Sequence, residues 1–395
     1  MKIAFVVPRY GEKVVGGAEY YTKKIAEHLS KFHNVEVLTT CAKDYLSWKN
    51  EFNEGVESIN GVLVRRFKNS KFRDLDSLIK LQERVFYSPY HTLEEETVWF
   101  REAGPYSPGL IMHIKKNRRN YDAFIFITFR YATTFYGLPL VPEKSILVPL
   151  AENDTALDLG VSKEIFHSAS ALIFSSPEEK TLIKRKVPGL RKINDTIGCG
   201  IDTRPITTKQ KKHVLEKFSI RKPFLLYVGR VDGAKGCYEL FDYFQKYKKE
   251  KNQNTELVLA GSQHMYIPRH PSIRFIGFVS EAEKFALLKS ARLLIMPSYL
   301  ESFSLITLEA MLSETPVLVN GSCSVLKGHC IRSNGGLWYE NYDEFKECLN
   351  LLLSDKELRR KLGENGRRYV QKNYSWDVIE KKFLKLLKKF QNAHQ

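Results

Sequence analysis

Twice along this chain, short apolar runs alternate with helical stretches, and few folds accept that alternation. The first series holds "KIAFVV" (2–7), "NVEVLTT" (34–40), "VLVRRF" (62–67), "YDAFIFIT" (121–128), "SILVPL" (145–150) and "ALIFSS" (171–176). Each run is of strand length and almost continuously apolar, as a strand is when both its faces are covered. A helix is expected from about Ala18 to Lys31, whereas residues 70–110, aromatic and charged, predict only short helices and loops. "RKINDTIGCGID" (191–202) closes the series, and the polar stretch 203–221 reads as a linker. A second series follows: "PFLLYVGR" (223–230), a helix near 236–250, "TELVLAG" (255–261), "IRFIGFV" (273–279), "RLLIMPS" (292–298) and "TPVLVN" (315–320). From about Asp355 the sequence is charged and helical. Strand–helix alternation of this kind makes a doubly wound α/β fold. At 395 residues two such domains are expected, facing across a cleft at the carboxyl ends of their strands, where open α/β sheets bind ligands.

Composition narrows the class of partner. With 43% hydrophobic and 27% charged residues the chain reads as soluble and globular. No run approaches the roughly 18–20 apolar residues of a membrane span. The N-terminal apolar run lacks a small-residue cleavage site and reads as a first strand, not a signal peptide. Six scattered cysteines without a CxxC pair suit reduced thiols in the cytoplasm, and no structural zinc is expected. The formal net charge of +17 favours polyanions, either nucleic acid or an acidic membrane face, or is a solvated surface. No helix-turn-helix, zinc finger or RNA-binding aromatic signature accompanies the charge, so no nucleic-acid partner is expected.

Chemistry concentrates in the second half. "VGRVDGAKG" (228–236) leaves a strand and carries Arg230 and Lys235, two cations suited to a diphosphate; the alternative is a solvated, glycine-rich turn. In "PSYLESFSLITLEA" (297–310) a strand gives way to a helix expected to begin near Ser304. The first free N–H groups of that helix, around Ser304, Leu305 and Ile306, favour an anion. Glu301, just before the helix, can accept hydrogen bonds from hydroxyls, and Glu309, within it, can bridge two adjacent hydroxyls. The plain alternatives are a helix cap for Glu301 and a solvent-facing helix residue for Glu309.

The ordered set Gly16-Gly17, Gly229-Arg230 with Lys235, and Glu301 with Glu309 eight residues on resembles family-four retaining GT-B glycosyltransferases. Further stretches resemble bacterial surface-polysaccharide members: "PRYGEKVVGGAE" (8–19), "VEVLTTCAKDYLSWKNEF" (35–52), "IFSSPEEKTLI" (173–183) and "VLKGHCIRSNGGLWYENYDEF" (325–345). The resemblance implies a GT-B fold of two Rossmann-like domains: residues 1–202 plus 376–395 on the acceptor side, and 203–375 holding a nucleotide sugar, UDP- or GDP-linked. The last helix, "WDVIEKKFLKLLKKF" (376–390), would return to the first domain. Arg230, Lys235 and Glu301 are then the implied catalytic residues, the cations gripping the diphosphate and Glu301 touching the transferred sugar. Glu309 would take the ribose hydroxyls, Gly16 and Gly17 would approach the donor phosphates, and Gly229, Gly261 and Phe278 would line the nucleotide site. Relatives often carry a histidine where this chain has Glu152, in "SILVPLAENDTAL" (145–157), and Glu152 is expected to contact the donor sugar.

The implied activity moves a hexose from a nucleotide sugar to a saccharide acceptor, commonly lipid-linked, in surface polysaccharide or lipopolysaccharide synthesis, without metal or other cofactor. Alternatives are a nucleotide-sugar epimerase and a non-catalytic partner subunit that binds nucleotide sugar or glycan. The basic cluster 115–119 is expected to touch anionic lipid, making the protein cytoplasmic and peripheral on the membrane's inner face. Ile379, Phe383, Leu386, Leu387 and Phe390 form one helical stripe that lies on lipid or packs on the first domain. "DLD" (74–76) follows no strand, the histidines show no ligand spacing, and no metal site is expected. A G-x-G-x-x-G pattern is absent, which argues against a dinucleotide enzyme.

Overall fold

A computed structural model describes residues 1–251 and 254–394. The chain forms two compact units, Met1–Gly200 with Ile379–Gln395, and Ile201–Val378.

The first unit is built on eight strands: β1 (Lys2–Val6), β2 (Asn34–Thr40), β3 (Gly55–Ile59), β4 (Val62–Phe67), β5 (Ala123–Ile127), β6 (Ser145–Val148), β7 (Ala171–Phe174) and β8 (Ile193–Thr196). Their order is β3-β4-β2-β1-β5-β6-β7-β8, and only the β3–β4 pair is antiparallel. The central strands β1, β5, β6 and β7 are buried almost throughout, which is why they read as unbroken apolar runs. β3 escapes sequence reading because it is an exposed edge strand, "GVESI". Its hairpin turn is Asn60-Gly61, both at positive φ (50° and 80°), as a two-residue turn demands.

Residues 70–110, expected as short helices and loops, are more regular than that. They form helices Leu75–Tyr87 and Leu93–Ala103, and a third helix, Pro108–Asn117, follows. Asp74 caps the first by accepting the N–H groups of Asp76 and Ser77, so "DLD" is a helix start. Thr92 and Glu95 form a capping box for the second, and Pro108 opens the third. The last helix, Trp376–Asn392, buries Ile379, Phe383, Leu386, Leu387 and Phe390. Its Glu380 meets the His28 ring nitrogen at 2.5 Å and Lys31 at 3.3 Å, so the stripe covers the first unit and does not lie on lipid.

The second unit holds β9 (Phe224–Val228), β10 (Glu256–Ala260), β11 (Ile273–Gly277), β12 (Leu293–Met296), β13 (Val317–Asn320) and β14 (Gly336–Tyr339). The order β11-β10-β9-β12-β13-β14 is parallel throughout. The expected linker 203–221 is largely a helix, Thr208–Lys217, started by a Thr207–Gln210 capping box. Only Val214 in it is buried, so its sequence carried no apolar stripe. The unit's two ends are tied together: Ile201 N–H donates to Tyr374 O at 2.9 Å, and Trp376 Nε1–H to Asp202 at 2.6 Å.

Each sheet reverses its winding once, between β1 and β5 and between β9 and β12. Beside such a switch point the loops leave in opposite directions and a ligand crevice opens. Among the described residues no helix is long and apolar enough to cross a membrane.

Candidate functional site

In the second sheet, Arg230 and Lys235 follow β9 and Glu301 follows β12, so they flank the switch point. Three loops are locked there backbone to backbone. Gly229 N–H donates to Ala260 O and Gly261 N–H to Gly277 O, both at 2.9 Å. Gly261 has φ +140°, and a Cβ on it would stand 1.9 Å from Gly229 O, so no other residue fits without moving a loop. Phe278, next in line after β11, is 65% exposed.

Arg230 and Lys235 are shaped by the residue between them. Asp232 pairs with Arg230 Nε and caps the short turn Gly233–Lys235, accepting the Lys235 N–H at 2.9 Å. Tyr227 Oη donates to Arg230 O at 2.6 Å. Gly236, at φ +74°, brings the turn against β12's exit, where an added Cβ would meet Pro297 O at 2.1 Å. Lys235 Nζ thereby reaches Glu301 Oε1 at 2.8 Å. The motif is a packed junction, and the solvated-turn alternative falls.

Glu301 is not the helix cap. Ser304 holds that place, in the left-handed region at φ 62°, and its hydroxyl meets Thr307 Oγ1 at 2.9 Å. No side chain caps the helix Leu305–Leu312, and its first turn holds no acid. The N–H groups around Ser304, Leu305 and Ile306 thus start an uncapped helix, a favourable place for an anion.

Glu309 does not face solvent: it is 4% exposed. Lys284, from helix Glu281–Leu288, holds both its oxygens, at 2.9 and 2.8 Å. Burial pushes the Glu309 carboxyl up to about 7 while Lys284 pulls it down. Burial lowers Lys284, but Glu309 and Glu281 outweigh it and hold the ammonium above its ordinary value.

In the first unit, Gly16 precedes helix Gly17–Leu29. A Cβ on Gly16 would fall 2.0 Å from Glu19 Oε2, whose partner oxygen binds Arg9 at 2.6 Å. Nothing lies within 4 Å of where a Gly17 Cβ would be, so a ligand can approach its backbone closely. Glu152 is half-buried in the loop after β6. That loop is held by Glu179, whose carboxylate accepts the N–H groups of Ala151 (2.6 Å) and Ser175 (2.5 Å). Burial pushes Glu179 up to about 7, opposed by those N–H donors.

The structure therefore gathers Gly229, Arg230, Lys235, Gly261, Phe278, Glu301, Ser304, Leu305, Ile306 and Glu309 in the second unit; Gly16, Gly17 and Glu152 belong to the first. Sequence reading missed Asp232, Lys284 and Glu179. Asp232 lay in plain view between two cations. Lys284 had a fainter signal, a lone cation directly before the apolar run "FALL".

Residues 208–369 match the family model "Glycosyl transferases group 1". The chain is 24% identical to an uncharacterized glycosyltransferase of Methanocaldococcus jannaschii, over 98% of each chain. It is 26% identical to the capsular polysaccharide biosynthesis glycosyltransferase CapM of Staphylococcus aureus, over 48% of this chain and 51% of that one. The crystal structure of Anabaena HepE in complex with UDP and glucose is similar at a TM-score of 0.72 and 16% identity, covering 98% of this chain and 99% of that one. Two α/β units on largely parallel sheets, the likeness to HepE over nearly the whole chain and the group 1 match together make this chain a glycosyltransferase of GT-B fold.

Proposed function

We propose that this enzyme transfers a hexose from a UDP- or GDP-sugar to a saccharide acceptor with retention of configuration, in the assembly of a surface polysaccharide or lipopolysaccharide. One observation carries the reading: two cations, an uncapped helix start and two carboxylates converge at the second sheet's switch point. A sugar diphosphate needs that set. Arg230, Lys235 and the N–H groups of Ser304, Leu305 and Ile306 would hold the diphosphate, Glu309 the ribose hydroxyls, and Glu301 a hydroxyl of the sugar. Gly229, Gly261 and Phe278 would line the base, with Phe278 offering an exposed face to stack on. As the family resemblance implies, Gly16 and Gly17 would approach the donor phosphates, and Glu152 would accept a hydrogen bond from the donor sugar.

In the reaction the bond from the anomeric carbon to the phosphate oxygen breaks. The acceptor oxygen bonds that carbon on the same face, and its proton passes to the departing phosphate oxygen. Negative charge grows on the diphosphate, where fixed cations and N–H dipoles stabilise it without reorganising. Arg230 and Lys235 would take the charge-neutralising role that a metal ion could otherwise fill. Both cations are already paired with Asp232 and Glu301, and the diphosphate would displace those carboxylates or share the cations with them. A lipid-linked acceptor at the inner membrane face accords with the exposed basic cluster Lys115, Lys116, Arg118 and Arg119 at the end of helix Pro108–Asn117.

The test is thermal unfolding with a panel of nucleotides and nucleotide sugars, in wild type and Glu309→Ala. A ligand at ~100 times its dissociation constant stabilises by about 2.7 kcal/mol. One base's diphosphate should stabilise the wild type and lose that effect in the variant. No stabilisation by any nucleotide would sink the donor reading.

A further inference from the structure

The carboxyl edge of the first sheet holds an arrangement that the donor reading does not use. Arg9 follows β1, Tyr45 and Trp48 follow β2, Arg73 follows β4, and Arg130 and Tyr131 follow β5, on both sides of the β1/β5 switch point. Trp48 is the floor: it is 1% exposed, its Nε1–H is tied to Ala103 O at 2.8 Å, and Tyr131 meets it edge-on at 5.4 Å between centroids. The Arg73 guanidinium lies over the Trp48 ring at 4.7 Å, and Arg9 lies 5.9 Å from it.

These arginines are not equivalent. Arg9 is neutralised by Glu19 at 2.6 Å and Arg130 by Asp154 at 2.5 Å. Arg73 has no carboxylate within ion-pair distance among the described residues. Its guanidinium donates only to carbonyls, Ala103 O and Tyr45 O. Carbonyls satisfy N–H groups but leave the charge unbalanced. Asp44 acts on Arg73 from further off, its own oxygens occupied by the Leu46 and Ser47 N–H groups and the Ser47 hydroxyl. Burial pulls the Arg73 value down, and Arg130 adds like-charge repulsion, though arginine stays protonated. A half-buried, uncompensated cation on an aromatic floor, beside a second arginine whose side chain is 36% exposed, lacks an anion.

We propose that this edge recognises an oxyanion on the acceptor saccharide, a uronate carboxylate or a phosphate ester, through Arg73 with Arg130 beside it. A planar guanidinium offers a carboxylate or phosphate paired N–H groups, and the aromatic floor holds the guanidinium in place. The inference deepens the proposed transfer to a saccharide acceptor and rests on that reading, with the acceptor on the first unit as the family resemblance implies.

The test is a titration of the full chain with glucuronic acid, glucose 6-phosphate and neutral glucose, with and without saturating UDP, in wild type, Arg73→Met and Arg130→Gln. A hydrogen bond to a charged group predicts that a charged sugar binds wild type at least about tenfold tighter than glucose. Arg73→Met should erase that preference while UDP affinity stays unchanged. Preference for glucuronic acid alone identifies a carboxylate, for the sugar phosphate alone a phosphate, and for both a general oxyanion site. If Arg73→Met lowers the unfolding midpoint, Arg130→Gln decides, through a weakened preference at wild-type UDP affinity. Equal binding of all three sugars, no binding at millimolar concentration, or a preference surviving in both variants overturns the proposal. Failure of UDP to bind wild type would instead sink the donor reading, and the UDP-free titrations would still decide this one.

Discussion

Lys284 Nζ lies 2.9 Å from one oxygen of Glu309 and 2.8 Å from the other, so a single ammonium holds both sides of a nearly buried carboxylate. Breaking such a pair is far worse than removing it whole, because one partner left alone is an uncompensated buried charge. Lys284→Met should therefore cost about 3–5 kcal/mol in chemical unfolding, and Lys284→Met with Glu309→Leu should recover most of it. If the double variant is as unstable as the single one, the pair is not what holds Glu309.

The glycines separate packing from binding. Gly261→Ala places a methyl 1.9 Å from Gly229 O and should destabilise by about 1–3 kcal/mol through forced backbone movement, with weaker nucleotide binding. Gly17→Ala meets nothing within 4 Å and should leave stability level or slightly raised. Nucleotide-sugar affinity should nevertheless fall, because the methyl occupies space proposed for the phosphates. Unchanged affinity in Gly17→Ala would remove that loop from the donor site.

His329 gives a stability signature in acid. It is fully buried, with Nε2 2.9 Å from Phe303 O and Nδ1 3.1 Å from the Tyr369 hydroxyl. Burial holds its value down to about 3. Above pH ~6.5 both folded and unfolded forms are neutral and stability is unaffected. Between there and about 3 only the unfolded chain takes up this proton, so stability falls by about 1.4 kcal/mol per pH unit. Subtracting the unfolding free energies of His329→Gln from those of wild type between pH 6 and 4 isolates that slope. A flat difference would show that His329 titrates normally.

The exposed cluster Lys115, Lys116, Arg118 and Arg119 should draw the protein to anionic vesicles and not to neutral ones. Each cation near the surface contributes about 1 kcal/mol, so replacing all four with glutamine should weaken co-sedimentation by orders of magnitude. Raising salt should do the same to wild type, since charge at the surface is screened. Equal binding to both vesicle types would sink the electrostatic reading.

How far the sequence could be read followed burial. Strands such as β5 and β12, covered on both faces, announce themselves as "AFIFI" and "LLIM". β3, exposed along its edge, and helix Thr208–Lys217, with one buried residue, carry too little apolar signal to be seen. The charged site residues were legible as types at the ends of strands, but their partners were not. Lys235 meets Glu301 across 66 positions and Lys284 meets Glu309 across 25, and only the sheet order brings those loops together. Arg73 was hidden for the same reason: Tyr45 and Ala103, whose carbonyls hold it, lie 28 and 30 positions away.

The return of Ile379–Gln395 to the first unit fixes the order in which the protein can be completed during synthesis. The second unit, 201–378, is a continuous segment and has all its strands before the last helix exists. The first unit, begun earlier, keeps an apolar strip open until Ile379, Phe383, Leu386, Leu387 and Phe390 have left the ribosome. A nascent chain stalled before that helix would present the strip to chaperones, although all eight strands of its first sheet had already been made.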